Sequence, residues 1–374
     1  MKIAIVNTLP IPSGQASVNR LLSYSKGMVE LGDDITVLSS ACSNEKEGEV
    51  GGVKFRNLGK GGKLGLLSAL EIILTTVKKE RFDAVILVSN SLLLIYPLAI
   101  VCKRKGIILI QEKSEFPFVL MKKGLIRKLW ASFYTSTTYK IFDGLIVMTK
   151  PLMDYFASKV KKSCKLIEVP MTVDLDRFAI EKSESPYGDY VAYCGNMAGN
   201  KDGVMNLIEA FTIALPRMLN VRLLLIGGSS NQEDWERIIN TVKQTGNDNI
   251  ILYGKATREE MPALLKNAKA LALARPSSLQ STGGFPTKLG EYLATGNPVV
   301  VTGVGDIPQY LNATNAFVVE PDNNKAFADA LTFVFSDYER AKEIGQKGQE
   351  LAQTVFSSKV QSQRLYDYLK TICE

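Results

Sequence analysis

Residues 270–311 read ALALARPSSLQSTGGFPTKLGEYLATGNPVVVTGVGDIPQYL. The run ALALA has the apolar continuity of a buried parallel strand. It is followed by a loop of Arg, Pro, Ser and Gly, and then by a helix starting near Thr287. Gly296 and Pro298 mark the end of that helix, ahead of the second apolar strand PVVVTG. A strand, a glycine loop and a helix N-terminus in succession present backbone N–H groups at a positive helix end, which is where a phosphate sits. Glu291 lies one turn beyond Thr287, placed to accept hydrogen bonds from ribose hydroxyls, while Lys288 can point to solvent.

Outward from this stretch, the same alternation of strands and amphipathic helices fills the chain. The first half offers KIAIVNT, DITVLSS, AVILVS, IILIQE and GLIVMT; the second adds YVAYCG, VRLLLIGG, NIILYG and AFVVEP. Strands alternating with helices predict an α/β fold of parallel sheets. The chain has 374 residues, 46% of them apolar and 22% charged, a globular composition that calls for two domains rather than one core. Residues 181–189, rich in charge and poor in periodicity, mark the expected boundary. The expectation is two doubly wound, Rossmann-like domains, an N-terminal one over 1–180 and a C-terminal one from residue 181.

Composition also excludes chemistries. With no histidine, neither a Ser-His-Asp triad nor a His-ligated zinc site can form. Cys42, Cys102, Cys164, Cys194 and Cys373 are odd in number and lack a CxxC pair, arguing against a disulfide framework and for a reducing cytoplasm. The opening MKIAIVNTLP enters a strand directly, so the mature chain is expected to start at Met1. Residues 84–102 are uncharged over 19 positions, but Ser-Asn-Ser and a proline divide them. We read them as a buried strand and a packed helix, not a membrane span.

Charge is unevenly spread. Residues 1–180 hold 26 Lys and Arg against 16 Asp and Glu, whereas residues 181–374 hold 19 against 22. No nucleic-acid motif accompanies the basic half, so an anionic membrane surface is the better partner than nucleic acid. In MKKGLIRKLWASFY, Leu125, Ile126, Leu129 and Trp130 fall on one helical arc, with Arg127 and Lys128 outside it and Lys122 and Lys123 nearby. That pattern predicts an interfacial helix on the inner face of the membrane, and hence a cytoplasmic, peripheral protein.

The run GGFPTKLGEYLATGNPVVVT resembles the donor-binding signature of retaining family-four (group 1) glycosyltransferases, enzymes of the GT-B fold. PSGQASVNRLLSYSKGMVELG is similar to the family's N-terminal glycine-rich loop and first helix. VPMTVDLDRF is similar to its interdomain segment, and CGNMAGNKDGVMNLIEAF to its phosphate-binding strand, loop and helix; FSSKVQSQRLYDYLK is placed like its last helix, which implies that the C-terminal domain ends at 356 and that 357–374 cross back to the first domain. The resemblance implies two doubly wound domains facing a cleft and transfer of a sugar from a nucleotide sugar, a UDP- or GDP-sugar first, with no cofactor and no metal. It implies that Lys201 neutralises the leaving diphosphate and that Gly195, Asn196 and the backbone of Gly283, Gly284, Phe285, Pro286, Thr287 and Lys288 line the donor. Glu291 would bind ribose, and the Gly14 amide would approach the phosphate.

Three polar roles of the pattern are empty or refilled. Gly283 stands where the first glutamate of the usual pair belongs, Asn196 where an arginine belongs, and QEKSEFP where a histidine is often found. Arg275 is the candidate for the missing cation, and Glu112 or Glu115 for the group that orients or deprotonates the acceptor hydroxyl. Asp306 reads as a helix N-cap; Asp174 and Asp176, in the linker, are poorly placed for a metal. GxGxxG and P-loop motifs are missing, so the fold does not imply a dehydrogenase or kinase. The expected function is glycosyl transfer to a glycan or lipid-linked glycan. A catalytically silent sugar-nucleotide binder and a soluble transferase acting on a free saccharide are the alternatives.

Overall fold

The computed structural model describes residues 1–60, 65–117, 134–199 and 201–374. Contacts divide the chain into two units, Met1–Thr172 with Ser358–Glu374, and Val173–Ser357.

In the first unit the described strands are β1 (Lys2–Asn7), β2 (Asp34–Ser39), β3 (Glu47–Val50), β4 (Val53–Asn57), β5 (Ala84–Val88), β6 (Ile108–Lys113), β7 (Gly144–Val147) and β8 (Lys165–Glu168). They form one sheet in the order β3-β4-β2-β1-β5-β6-β7-β8, parallel throughout except for the β3–β4 pair. The hairpin was not expected: its four- and five-residue strands are too short to show a period, though Gly51 and Gly52, at φ +58° and +80°, carry the turn. Helices α1 (Ala16–Glu30), α2 (Gly65–Lys79) and α3 (Leu92–Lys105) follow β1, β4 and β5. Residues 84–102 thus form strand β5 and most of α3, and among the described residues no helix is long and apolar enough to cross a membrane.

The helix Ser358–Cys373 packs on α1 within this unit. Gly27 permits the approach, since a Cβ there would lie 2.4 Å from Ser362 Oγ, which donates to the Tyr24 carbonyl at 2.7 Å. Leu365 and Leu369 complete a core shared with Ile3, Ile5, Leu21 and Met28.

The second unit carries a parallel sheet, β11-β10-β9-β12-β13-β14, made of β9 (Tyr190–Asn196), β10 (Arg222–Gly228), β11 (Ile250–Gly254), β12 (Ala270–Leu273), β13 (Val299–Thr302) and β14 (Phe317–Val319). Strands β12 and β13 and the middle of β10 are buried, which explains their unalternating Val, Leu and Ala. Residues 173–180, expected with the first domain, group with the second unit. Val173 pairs with Ser357, and the turn Leu175–Phe178 sinks Phe178 to 3% exposure. The segment 121–134 with Lys122, Lys123, Leu125, Ile126, Arg127, Lys128, Leu129 and Trp130 falls, but for Tyr134, outside the described residues.

Candidate functional site

Strand β9 ends in Gly195 and Asn196, and the turn after it returns to the helix Val204–Ala214. Gly195 is required here: at φ +143°, a Cβ would meet Lys288 Nζ at 2.2 Å. Gly203 is equally constrained, because a Cβ would fall 1.7 Å from the Ala274 carbonyl at the end of β12. These close approaches bring the ends of two neighbouring parallel strands together, the place where open α/β sheets bind ligands.

Asp202 holds this junction. Its carboxylate accepts from Lys288 Nζ at 2.6 Å and from the Tyr193 hydroxyl at 3.3 Å, and pairs with Arg275 Nε at 3.4 Å. Burial would raise the Asp202 carboxyl, but Lys288 and Arg275 beside it hold it below the ordinary carboxylate range. Burial likewise opposes the Lys288 charge, yet Tyr193 and Asp202 keep its pKa raised. The ammonium also sits 4.4 Å over the Tyr193 ring. Lys288 therefore turns inward, correcting the expectation of a solvent-facing side chain. Lys201, the next residue along from this anchored carboxylate, is exposed.

Arg275 is 1% exposed, so it is neither a surface salt bridge nor an open cation. Its Nε donates to the Lys201 carbonyl at 3.4 Å and its Nη1 to the Gly284 carbonyl at 3.2 Å, while its own carbonyl accepts from Thr302 Oγ1 at 2.7 Å. Arg275, expected in place of the missing arginine, ties the Lys201 turn to the glycine loop. Asn196 does not supply the cation either; its Oδ1 accepts the Ala198 amide at 2.9 Å and shapes the turn.

The loop after β12 is more ordered than a glycine loop suggests. Ser278 and Ser281 form a reciprocal capping box that starts a short helix, Leu279–Gly283. Gly284 and Pro286 then lead into the seven-residue helix Lys288–Ala294. The amides of Leu289 and Gly290 already donate to the Pro286 and Thr287 carbonyls, so the first-turn N–H groups expected for phosphate are in part used internally. Phe285 buries its ring: it is 5% exposed and packs on Tyr310 and Phe356 with centroids 5.6 and 5.8 Å apart.

Glu291 pairs with Arg177 Nη1 at 2.9 Å, and Arg177 Nη2 donates to the Arg258 carbonyl at 3.0 Å. Sequence reasoning missed Arg177, Asp202 and Tyr193. The only trace of Arg177 in the sequence is its place beside Phe178, which buries and thereby directs the arginine at Glu291. Asp306 stands at the N-cap of Ile307–Tyr310 without a capping bond, accepting instead from Gln309 Nε2 at 2.8 Å.

In the first unit, Gly14 is exposed in the turn before α1, and Glu115 is half-buried beyond β6. Glu112 is buried. One carboxylate oxygen accepts from Arg20 Nε and the other from the Tyr24 hydroxyl, both at 2.7 Å, while Arg20 also donates to the carbonyls of Val169 and Pro170. All five cysteines are free thiols, and burial pushes that of Cys194 up to about 12.

Lys113, one residue beyond Glu112 and on the other face of β6, is 4% exposed; its ammonium donates to Asn90 Oδ1 and lies 5.0 Å from the Tyr139 ring centre. Burial lowers its pKa to about 7. The unfolded chain holds this proton up to about pH 10. The cost of burying the charge is therefore fully present below pH 7 and is relieved as the pH rises toward 10. Lys113→Met is expected to stabilise the protein by about 1–3 kcal/mol at pH 7 and by much less at pH 10. Thermal unfolding of both proteins at the two pH values checks this, and an equal difference in Tm at both would refute it.

The two units, each built on a largely parallel sheet, have the GT-B fold, as do solved structures similar to this chain. Residues 188–337 match the family model described as glycosyl transferases group 1, bearing out the resemblance read from the sequence. Over 171 residues the chain is 26% identical to the capsular polysaccharide biosynthesis glycosyltransferase CapM of Staphylococcus aureus, covering 46% of this chain and 43% of that one. It is 28% identical over 151 residues to a trehalose synthase of Rubrobacter xylanophilus, covering 39% and 35%. The matches thus span well under half the length of these relatives. Among solved structures, sucrose-phosphate synthase from Thermosynechococcus elongatus superposes with a TM-score of 0.78 at 16% identity, covering 99% of this chain and 98% of that one. Anabaena Alr3699/HepE in complex with UDP and glucose superposes at 0.74 and 15%, covering 99% and 100%.

Proposed function

We propose that the chain is a retaining, metal-independent glycosyltransferase that moves a sugar from a UDP- or GDP-sugar to a glycan or lipid-linked glycan destined for a cell-surface polysaccharide. The observation that carries this reading is the anchored turn of the second unit. Asp202, Lys288 and Arg275 anchor the turn that carries the exposed Lys201, and Glu291 stands on the helix that supplies Lys288. Breaking a glycosyl phosphate bond builds negative charge on the diphosphate and oxocarbenium character on the sugar, so a cation fixed beforehand at the phosphate lowers the barrier without reorganising. Lys201 supplies that cation, the backbone from Gly283 to Lys288 borders the sugar and phosphate, and Glu291, held by Arg177, accepts from ribose. By the resemblance the Gly14 amide is assigned to the phosphate, and Glu115 remains the candidate at the acceptor hydroxyl. The nucleotide sugar is a substrate, not a cofactor.

The name of CapM and the UDP and glucose held by the Anabaena protein support the polysaccharide and donor parts of this reading. The basic first half supports a cytoplasmic protein peripheral to the membrane. The test is a thermal-shift screen of UDP, GDP, ADP and CMP and their sugar conjugates, followed by hydrolysis of whichever conjugate stabilises. Selective stabilisation by one conjugate with slow nucleotide release is expected; no response to any nucleotide would remove the donor assignment. Gly283, which lacks the usual carboxylate, favours one second reading, a silent sugar-nucleotide binder. Stabilisation with no turnover on any acceptor would establish it.

A further inference from the structure

Helix α3 exposes Leu93, Tyr96 and Ile100 by 54%, 36% and 53%. At spacings of three and four residues they share one face of the helix. On the neighbouring α2, Leu67 is 49% exposed and lies two turns before Leu74 on the same stripe. Between the helices runs a groove of about 250 Å³, where Leu74, Pro97 and Ile100 meet Lys78, Arg104 and Lys105. Scattered exposed apolar side chains are ordinary, but these lie together on two packed helices. Both helices also end in exposed cations, Lys78 and Lys79 on one and Lys103, Arg104 and Lys105 on the other, and Glu71 is the one carboxylate in either.

We propose that the first unit docks on an anionic lipid bilayer through the face shared by α2 and α3. Leu67, Leu93, Tyr96 and Ile100 enter the headgroup and acyl boundary, and the cationic helix ends meet the lipid phosphates. This deepens the peripheral-membrane part of the reading above and rests on it. The charge pattern selects the occupant: an apolar band with a purely basic end suits acyl chains under anionic headgroups, where each lysine or arginine adds attraction.

The experiment is co-sedimentation of the full chain with vesicles of phosphatidylglycerol and phosphatidylcholine, and of phosphatidylcholine alone, at low and high salt. The protein is expected to sediment with the anionic vesicles and to be released by salt. The double variant Leu93→Glu, Ile100→Glu and the triple variant Lys103→Glu, Arg104→Glu, Lys105→Glu should each lose partitioning by about tenfold or more. All of these positions are exposed, so both variants should keep their circular dichroism and their thermal shift with the nucleotide sugar. If the wild type binds and both variants bind equally well, the α2–α3 face is refuted while the peripheral reading stands; loss on Trp130→Glu would then move the contact to residues 121–134. If the wild type does not sediment, both ideas fall. Neither outcome touches the donor assignment, which the thermal shift reads separately.

Discussion

Lys201→Ala is expected to lower turnover by a factor on the order of 10² or more, with little change in Tm. The side chain is exposed, so its removal opens no cavity. Its carbonyl is held by Arg275 Nε at 3.4 Å, so the turn keeps its position when the side chain is cut back. On the proposed reading, what is lost is a preorganised positive charge at the phosphate, which matters most in the transition state, where the diphosphate becomes a leaving anion. Nucleotide-sugar turnover measured alongside KM and Tm tests this; an unchanged rate removes Lys201 from the mechanism. Lys201→Arg should recover part of the loss, because the charge is restored at a different reach.

Asp202→Asn is expected to produce the largest loss of stability. The substitution leaves Lys288 and Arg275 without their counter-charge in a site where the three side chains are 13%, 1% and 12% exposed for Lys288, Arg275 and Asp202. Removing one partner from a buried ionic group costs about 3–5 kcal/mol. In a unit of this size that corresponds to a fall in Tm of roughly 10 °C. The pH dependence has a definite sign. The folded pKa of Asp202 lies below its unfolded value, so its contribution is complete above the ordinary carboxylate range and disappears as the pH falls through the folded value. Wild type and Asn variant should therefore differ most near neutral pH and converge in acid. Equal Tm values at pH 7 would show that the triad is not what anchors the turn. Turnover should fall with stability, because the same carboxylate anchors the turn that presents Lys201.

Much of this was legible in the chain. Buried parallel strands announce themselves because both of their faces must be apolar, and all eleven expected strands are present. The strands that escaped, Glu47–Val50, Val53–Asn57 and Lys165–Glu168, are four or five residues long, below the length at which a period of two stands out from chance. The helix Leu279–Gly283 escaped for a different reason. Its cap uses Ser278 and Ser281 in place of the more visible Ser and Glu pair, and the glycines at its end read as loop.

The order of strands and helices, the glycines at strand ends and the helix over Lys288–Ala294 followed from local pattern, because secondary structure and tight turns depend on residues close in sequence. Which side chains serve the site did not. Glu112 and Lys113 are neighbours on one strand, and the pleat sends one to Arg20 and Tyr24 and the other toward Asn90 and Tyr139. Arg275 and Lys288 look alike as free cations near a glycine loop until Asp202, 73 and 86 residues away along the chain, is found between them. A charge's role depends on what faces it across space, and that partner is chosen by the packing of the sheet, not by the residues beside it in the chain.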